Sequence, residues 1–457
     1  MQNELGWTAA VARFVASSPV EWSDELRSAV YDGVIDWFSS VLTAKDDATA
    51  EQLMASMGNE PPYSLTAREC TVIGKPYKAG VLDAALVNGY LAHALDYDDV
   101  HEEVRGHPSA VLIAALLAEA EYGSISGKPF KEGYLIGMEV MCQLGRWIGN
   151  SHYELGWHST ATLGAIAAAA AVARMRGFTE EQARHAIGLA ATQAGGLRLH
   201  FGSAVKPLHA GIAARAGVMA ARMAYAGIQG SDEVLDGKLG FIDMYSGGSP
   251  AFAEPDIEQW GKPWRIVQPG LWFKIYPCCS ASYHAIDAAH ELWIHNGYTA
   301  DEIAQVNVIF PPGGDAALVA NNPGNGVEGR FSAEYIVALK LTQPMLELGD
   351  FDEGAIREDM RQLMQRVRRH YREDIPAAPT AMPKGRFTIV EVVKTDGTVQ
   401  SSRSDTPTGS PGKPLSEGDK LRKYEAAAKG MASGWKELPR RVRQLEQLKA
   451  IADLWRS

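Results

Sequence analysis

One segment limits the folds open to this chain more than any other. From Leu163 to Ala173 it reads Leu-Gly-Ala-Ile, then five alanines, then Val-Ala. Alanine is the best helix former and carries almost no side chain. A helix that is alanine on every face must be buried, with neighbouring helices close against it. The surrounding sequence supplies those neighbours. Ala9 to Ala16 and Asp24 to Thr43 have helical periodicity, the second with Ser23 as its cap. Val81 to Leu95 continues the pattern. Pro108 to Tyr122 opens on proline and stops at Gly123, the expected asymmetry of helix ends. Ser159 to Arg176 holds the alanine run, and Thr179 opens a helix with Glu180 and Glu181 in its first turn. Pro207 to Ala226 ends at Gly227. A bundle-like helical domain is expected over residues 1–265.

The pattern changes after residue 265. Ala304 to Phe310 alternates apolar and polar residues and stops at Pro311-Pro312-Gly313-Gly314. Arg386 to Lys394 and Thr398 to Arg403 flank Thr395-Asp396-Gly397, a hairpin signal. Cys278 to Asn296, Ser332 to Leu341 and Glu353 to His370 are expected to be helical. Residues 266–405 are therefore expected to form an inserted, smaller α+β domain with an antiparallel sheet. Thr406 to Pro414, rich in Pro, Gly and Ser, is expected to be a linker, so that residues 406–457 return as helices to the helical domain. The expected fold class is mainly α.

Composition removes several functions. The formal charge of −11 over 457 residues repels phosphate backbones, so nucleic acid is not an expected partner. An anionic substrate would need a local cationic pocket. No apolar run approaches the roughly 20 residues of a membrane span. The N-terminal Met-Gln-Asn-Glu-Leu-Gly-Trp has no basic stretch followed by an apolar one, so no secretory signal is expected. Four cysteines without a C-x-x-C leave neither a disulfide framework nor the usual zinc or iron–sulfur spacing. Gly195-Gly196-Leu-Arg198 breaks a helical pattern but is no nucleotide-binding loop. A cytoplasmic, soluble, metal-free protein is expected.

Four helix starts carry chemistry. His107 precedes Pro108, His158 precedes Ser159-Thr160, Lys206 precedes Pro207, and Cys278 and Cys279 follow Pro277. Helix N-termini hold partial positive charge and unpaired N–H donors, so anions bind there. The position keeps a histidine neutral and favours the thiolate of a cysteine. Each feature alone is more often a cap, a surface group or small packing; only their joint occurrence speaks for function. A second feature is the acidic stretch from His93 through Asp96, Asp98, Asp99 and His101 to Arg105-Gly-His107. Metal binding is one reading, sharpened by a partial match to the aspartate-rich motif of class I isoprenoid synthases, although no second metal motif follows. In another, Asp96 orients neighbouring histidines for acid–base work. A solvated loop is the third. Tyr153, Lys274 and Tyr335 are further candidates.

The chain resembles the MmgE/PrpD family in His-Ala-Leu-Asp96-Tyr-Asp-Asp with Gly-His107-Pro-Ser-Ala, Gly-Trp-His158-Ser-Thr-Ala, and Val-Lys206-Pro-Leu-His-Ala-Gly. Lys274-Ile-Tyr-Pro-Cys-Cys, Arg330-Phe-Ser-Ala-Glu-Tyr335 and a late Pro-Gly-Lys-Pro-Leu-Ser extend the likeness. The resemblance implies a helical domain made from both chain ends, an inserted α+β domain, a homodimer, and an active site at the cleft between domains. It also implies cofactor-independent chemistry on small polycarboxylates, as in 2-methylcitrate dehydratase, cis-aconitate decarboxylase and iminodisuccinate epimerase. Asp96, His107, His158, Lys206 and Tyr335, carried over from the resemblance, and Cys279, where this chain departs from it, are candidate catalytic residues. Lys274, Tyr153 and Arg105 are candidate substrate-binding groups. Cys279 stands where the decarboxylase branch has a histidine, which makes cis-aconitate decarboxylation the less favoured activity. The expectation is a hydro-lyase acting on a 2-methylcitrate-like acid, with epimerisation of an amino-dicarboxylate as alternative. A metal-dependent isoprenoid synthase and a non-catalytic helical scaffold are the readings from other classes.

Overall fold

The computed structural model describes residues 6–57, 70–252 and 257–456. Residues 1–5, where most of the reading against a secretory signal falls, lie outside them. The chain divides into two compact units. The first comprises Met1–Leu199, Ala204–Leu271 and Glu417–Ser457; the second comprises His200–Ser203 and Trp272–Ser416.

The first unit begins with α1 (Trp7–Ser17), α2 (Asp24–Thr43) and α3 (Ala48–Ser56). The Ser23 hydroxyl accepts the Leu26 amide and so caps α2. A two-residue hairpin, β1 (Cys70–Thr71) with β2 (Lys78–Ala79), leads to α4 (Val81–His93). Then come α5 (Pro108–Tyr122), α6 (Gly127–Ile148), α7 (Asn150–Glu154), α8 (Ser159–Met175), α9 (Glu180–Ala191), α10 (Val205–Tyr225) and α11 (Phe241–Tyr245). The alanine run lies in α8, and Ala167 through Ala173 have no exposed surface. Small residues let α10 press against both α4 and α8. A Cβ on Gly211 would fall 2.2 Å from the Leu86 carbonyl oxygen, and one on Gly217 would fall 2.3 Å from Ala168 Cβ. Those close approaches fix the start of α10 relative to the end of α4. The functional cluster lies there.

The second unit holds α12 (Tyr283–Asn296), β3 (Ile303–Phe310), α13 (Gly326–Gly329), α14 (Ala333–Thr342), α15 (Glu358–Met364), β4 (Val367–Tyr371), β5 (Thr388–Lys394) and β6 (Val399–Ser404). Its sheet order is β4-β3-β5-β6. β3, β5 and β6 pair antiparallel, β5 and β6 as the expected hairpin. α12 packs against β5, β6 and α14 over an apolar core that includes Val306, Val308, Val390 and Val392.

Three expectations need correction here. The helix expected over Glu353 to His370 is α15 followed by β4, which pairs parallel to β3. Arg369 explains the switch, since its guanidinium bonds Glu334 and Asp315, a pairing that an extended segment presents. The helix expected from Cys278 starts only at Tyr283, after a single tight turn at Ser280–Ser282. The Thr406 to Pro414 segment, expected as a linker, packs within the second unit. Phe273 and Lys413 pair with Gly409 through backbone bonds of 2.9 Å, and Thr408 and Lys413 converge on the Asp287 carboxylate.

The chain then returns to the first unit through α16 (Glu417–Ala427), α17 (Ser433–Lys436) and α18 (Leu438–Val442), with α16 laid on α2. Among the described residues, no helix is long and apolar enough to cross a membrane.

Candidate active site

The site grows from a turn between two helices. α4 ends at His93, and the chain loops back to enter α5, whose cap is His107. Asp96 holds φ at +51°, a left-handed conformation that aspartate tolerates better than most residues. The loop is braced from several sides. The His101 amide bonds the Gly106 carbonyl at 3.0 Å, and His101 Nε2 lies 3.0 Å from the Arg265 carbonyl. A Cβ on Gly106 would lie 2.6 Å from Thr160 Oγ1, and the His107 amide donates to that same oxygen. The loop therefore rests against the first turn of α8.

This bracing brings charged and titratable groups together. Lys206, in the first turn of α10, donates from Nζ to Asp96 Oδ1 at 2.7 Å. His107 Nε2 lies 3.3 Å from that oxygen, and its Nδ1 lies 3.3 Å from Asp98 Oδ2. Asp98 also takes His93 Nδ1 at 3.0 Å. His158, the cap of α8, lies with its ring centroid 5.9 Å from that of His93, and its Nδ1 is 3.1 Å from His209 Nδ1. All seven side chains are buried. Three helix starts, those of α5, α8 and α10, thus contribute to one place.

Burial sets the protonation states. It pushes the His93 imidazole down to about 3 despite the neighbouring Asp98. It holds His158 well below the ordinary histidine range, and Lys206 adds to the effect. Both rings are neutral near pH 7. Burial would raise Asp98, but His107 and His93 outweigh it and keep this carboxyl well below the usual carboxylate range. With Asp98 accepting at Nδ1, His93 presents Nε2 as a buried nitrogen with no hydrogen-bond partner, the arrangement of a carboxylate-oriented base. Asp99 behaves oppositely. Burial and the charge of Asp36 raise its carboxyl well above normal. It bonds both the amide and the hydroxyl of Ser109 in the first turn of α5.

His93, Asp96, Asp98 and His107 offer donor atoms within 4.8 Å of one another, a set chemically able to hold a divalent ion. The Lys206 ammonium and the imidazoles already pair with those carboxylates. The partial aspartate-rich match fails on geometry. Asp98 turns toward His93 and His107, while Asp99 turns toward Ser109.

The other candidate residues have these contacts. Arg105 directs its guanidinium to Asn150 and to the Glu103 and Gly145 carbonyls. The Tyr153 ring lies beneath the Arg198 guanidinium, 3.6 Å from its centroid. Neither reaches the cluster through these contacts. Lys274, Cys279 and Tyr335 belong to the second unit and are buried there. The Cys279 amide bonds the Arg330 carbonyl at 3.0 Å. The Tyr335 hydroxyl donates to the Asp350 carbonyl at 2.6 Å, and burial pushes it up to about 12. His93, Asp98 and His209 were not among the candidate site residues. Two spacings could have found them: His93 stands three residues before Asp96, and His209 follows Lys206 by three on one helix face.

The helical unit thus buries an ammonium, two carboxylates and neutral imidazoles at converging helix starts, groups chemically able to exchange protons. Residues 9–253 match the MmgE/PrpD N-terminal domain and residues 276–447 the MmgE/PrpD C-terminal domain, so the chain belongs to the MmgE/PrpD family. Its relatives include a cis-aconitate decarboxylase of Aspergillus terreus, 26% identical over 460 residues and spanning 94% of this chain and 91% of the relative. The human cis-aconitate decarboxylase is 28% identical, covering 81% of this chain and 77% of its own. The mouse protein of that name is 28% identical, covering 79% and 75%. The family and these relatives are enzymes, and the relatives named here are of the lyase type.

Proposed function

We propose that this enzyme removes water from a small hydroxy-polycarboxylate of the 2-methylcitrate type, without metal or organic cofactor. The observation that carries this reading is the buried run Lys206–Asp96–His107–Asp98–His93. Negative charge that develops beside a carboxylate needs fixed donors and positive charge, and such preorganised groups supply several kcal/mol. Lys206 and the N-terminal ends of α5 and α8 would receive the substrate carboxylates. Neutral His158 would take the proton from the carbon next to a carboxylate. The electron pair left on that carbon forms the double bond as the C–O bond breaks. His107, set between two carboxylates, would protonate the departing hydroxyl so that it leaves as water.

The relatives favour a second reading, decarboxylation of cis-aconitate. There the breaking bond joins carbon to carboxylate, CO₂ departs, and a proton is delivered to carbon. Cys279, at a position where the family resemblance puts a histidine in decarboxylases, favours dehydration.

NMR of di- and tricarboxylates incubated with the enzyme in D₂O separates the outcomes. Dehydration gives a new alkene from 2-methylcitrate, while decarboxylation consumes cis-aconitate. Deuterium exchange with no net product would indicate an epimerase and overturn both.

A further inference from the structure

Two ion pairs join α16 to α2, and they are not equivalent. Lys420 Nζ lies 2.6 Å from Asp32 Oδ2 and also pairs with Glu417. Lys423, one turn later, lies 2.6 Å from Asp36 Oδ1 with only 3% of its side chain exposed. Lys423 also reaches the loop between α4 and α5. Its Nζ donates to the Tyr97 carbonyl at 2.7 Å and stands 3.9 Å from the centroid of the Tyr97 ring. Tyr97 is the residue between Asp96 and Asp98.

Stability is a poor reason to bury this pair. Two charges lose their hydration there, and apolar groups of similar volume commonly do as well or better. The backbone it grips has a reason to need holding. Asp96 sits at φ +51°, while its neighbour Asp98 serves two imidazoles. A small rotation about Tyr97 would turn one carboxylate away from Lys206 or the other from His93.

We propose that Lys423, anchored by Asp36, is a positioning residue for the acid–base loop. Its grip on the Tyr97 carbonyl sets the aim of Asp96 and Asp98 together. As a statement about catalysis this rests on the lyase reading above; as a statement about loop geometry it does not.

The test compares full-length Lys423→Met with Lys420→Met, which removes the sister ion pair to Asp32. Lys423→Met should lower kcat at least about tenfold, since small misplacements of reacting groups cost this much, with KM within twofold. The ring ¹⁵N resonances of His93 and His107 should shift with it. Lys420→Met should leave kcat and those resonances unchanged. Because Lys423→Met takes the ammonium away from the Asp36 carboxylate, a double variant, Asp36→Leu with Lys423→Met, replaces the ion pair with an apolar one. It should melt within a few degrees of the wild type yet keep the low kcat and the shifted rings. Wild-type kcat and unshifted rings in the double variant would overturn the proposal. Should the wild type turn over no polycarboxylate, the lyase reading fails and the ring resonances alone decide the positioning role.

Discussion

Lys206 sits where one charge meets several demands: it pairs with Asp96, lowers the proton affinity of His158, and stands at a helix start. Lys206→Met should therefore reduce turnover at least about a hundredfold, the scale of losing one preorganised electrostatic group. Its circular dichroism spectrum should match the wild type; near-normal turnover would refute the assignment. Asp99 supports a prediction about pH. Its folded carboxyl titrates well above the value near 3.9 expected when unfolded, so the folded chain holds a proton that the unfolded chain has released. That raised value means its contribution to stability is lost as pH rises from about 4 toward the folded value. Asn cannot ionise. The unfolding free energy of Asp99→Asn should gain on that of the wild type as pH rises from about 4 toward the folded value, by up to about 1.4 kcal/mol per pH unit. A difference flat with pH would exclude a protonated Asp99. At this scale, His107, His158 and Lys206 were legible because proline and capping residues mark their helix starts. His93 and Asp98 were less so, because a histidine at a helix end acquires meaning only when the loop folds back on it.

Among the elements, helix boundaries were the most readable feature. The residues that set them are local: Ser23 for α2, Pro108 for α5, and Thr179, which forms a reciprocal capping pair with Gln182, for α9. β4 was hidden, because Val-Arg-Arg-His-Tyr has no apolar alternation and owes its extended form to β3 and to the acidic partners of Arg369. Lys274, Cys279 and Tyr335 were legible as motif members, but their surroundings depend on contacts distant in sequence. The close helix crossings can be tested directly. Gly211→Ala places a methyl group 2.2 Å from the Leu86 carbonyl oxygen, so α10 must back away from α4. Overpacking of this kind costs about 1–3 kcal/mol, and calorimetry should show a lowered Tm. An unchanged Tm would mean that α10 has room to shift.

At the scale of the whole molecule, the first unit is built from segments that flank the second in sequence. The change of pattern near residue 265 and the return of helices after 416 made that division visible. The exact edges were not, because the Thr406 to Pro414 segment has the composition of a linker yet buries Pro407, Gly409 and Ser410. The family resemblance implies a homodimer, so light scattering should report twice the chain mass of 49.5 kDa. Turnover should also survive EDTA, because Lys206 supplies the cation that the carboxylate cluster requires. Loss of activity in chelator, restored by a divalent ion, would reassign His93, Asp96, Asp98 and His107 as ligands.

The seating of α16 on α2 also imposes a schedule on synthesis. Asp36 and Lys423 are 387 positions apart, a gap that a ribosome takes on the order of 20–80 s to translate. Throughout that interval the nascent chain exposes a side of α2 whose partner does not yet exist. Newly made protein should therefore depend on chaperones that shield this surface, and it should acquire its acid–base loop only near the end of translation.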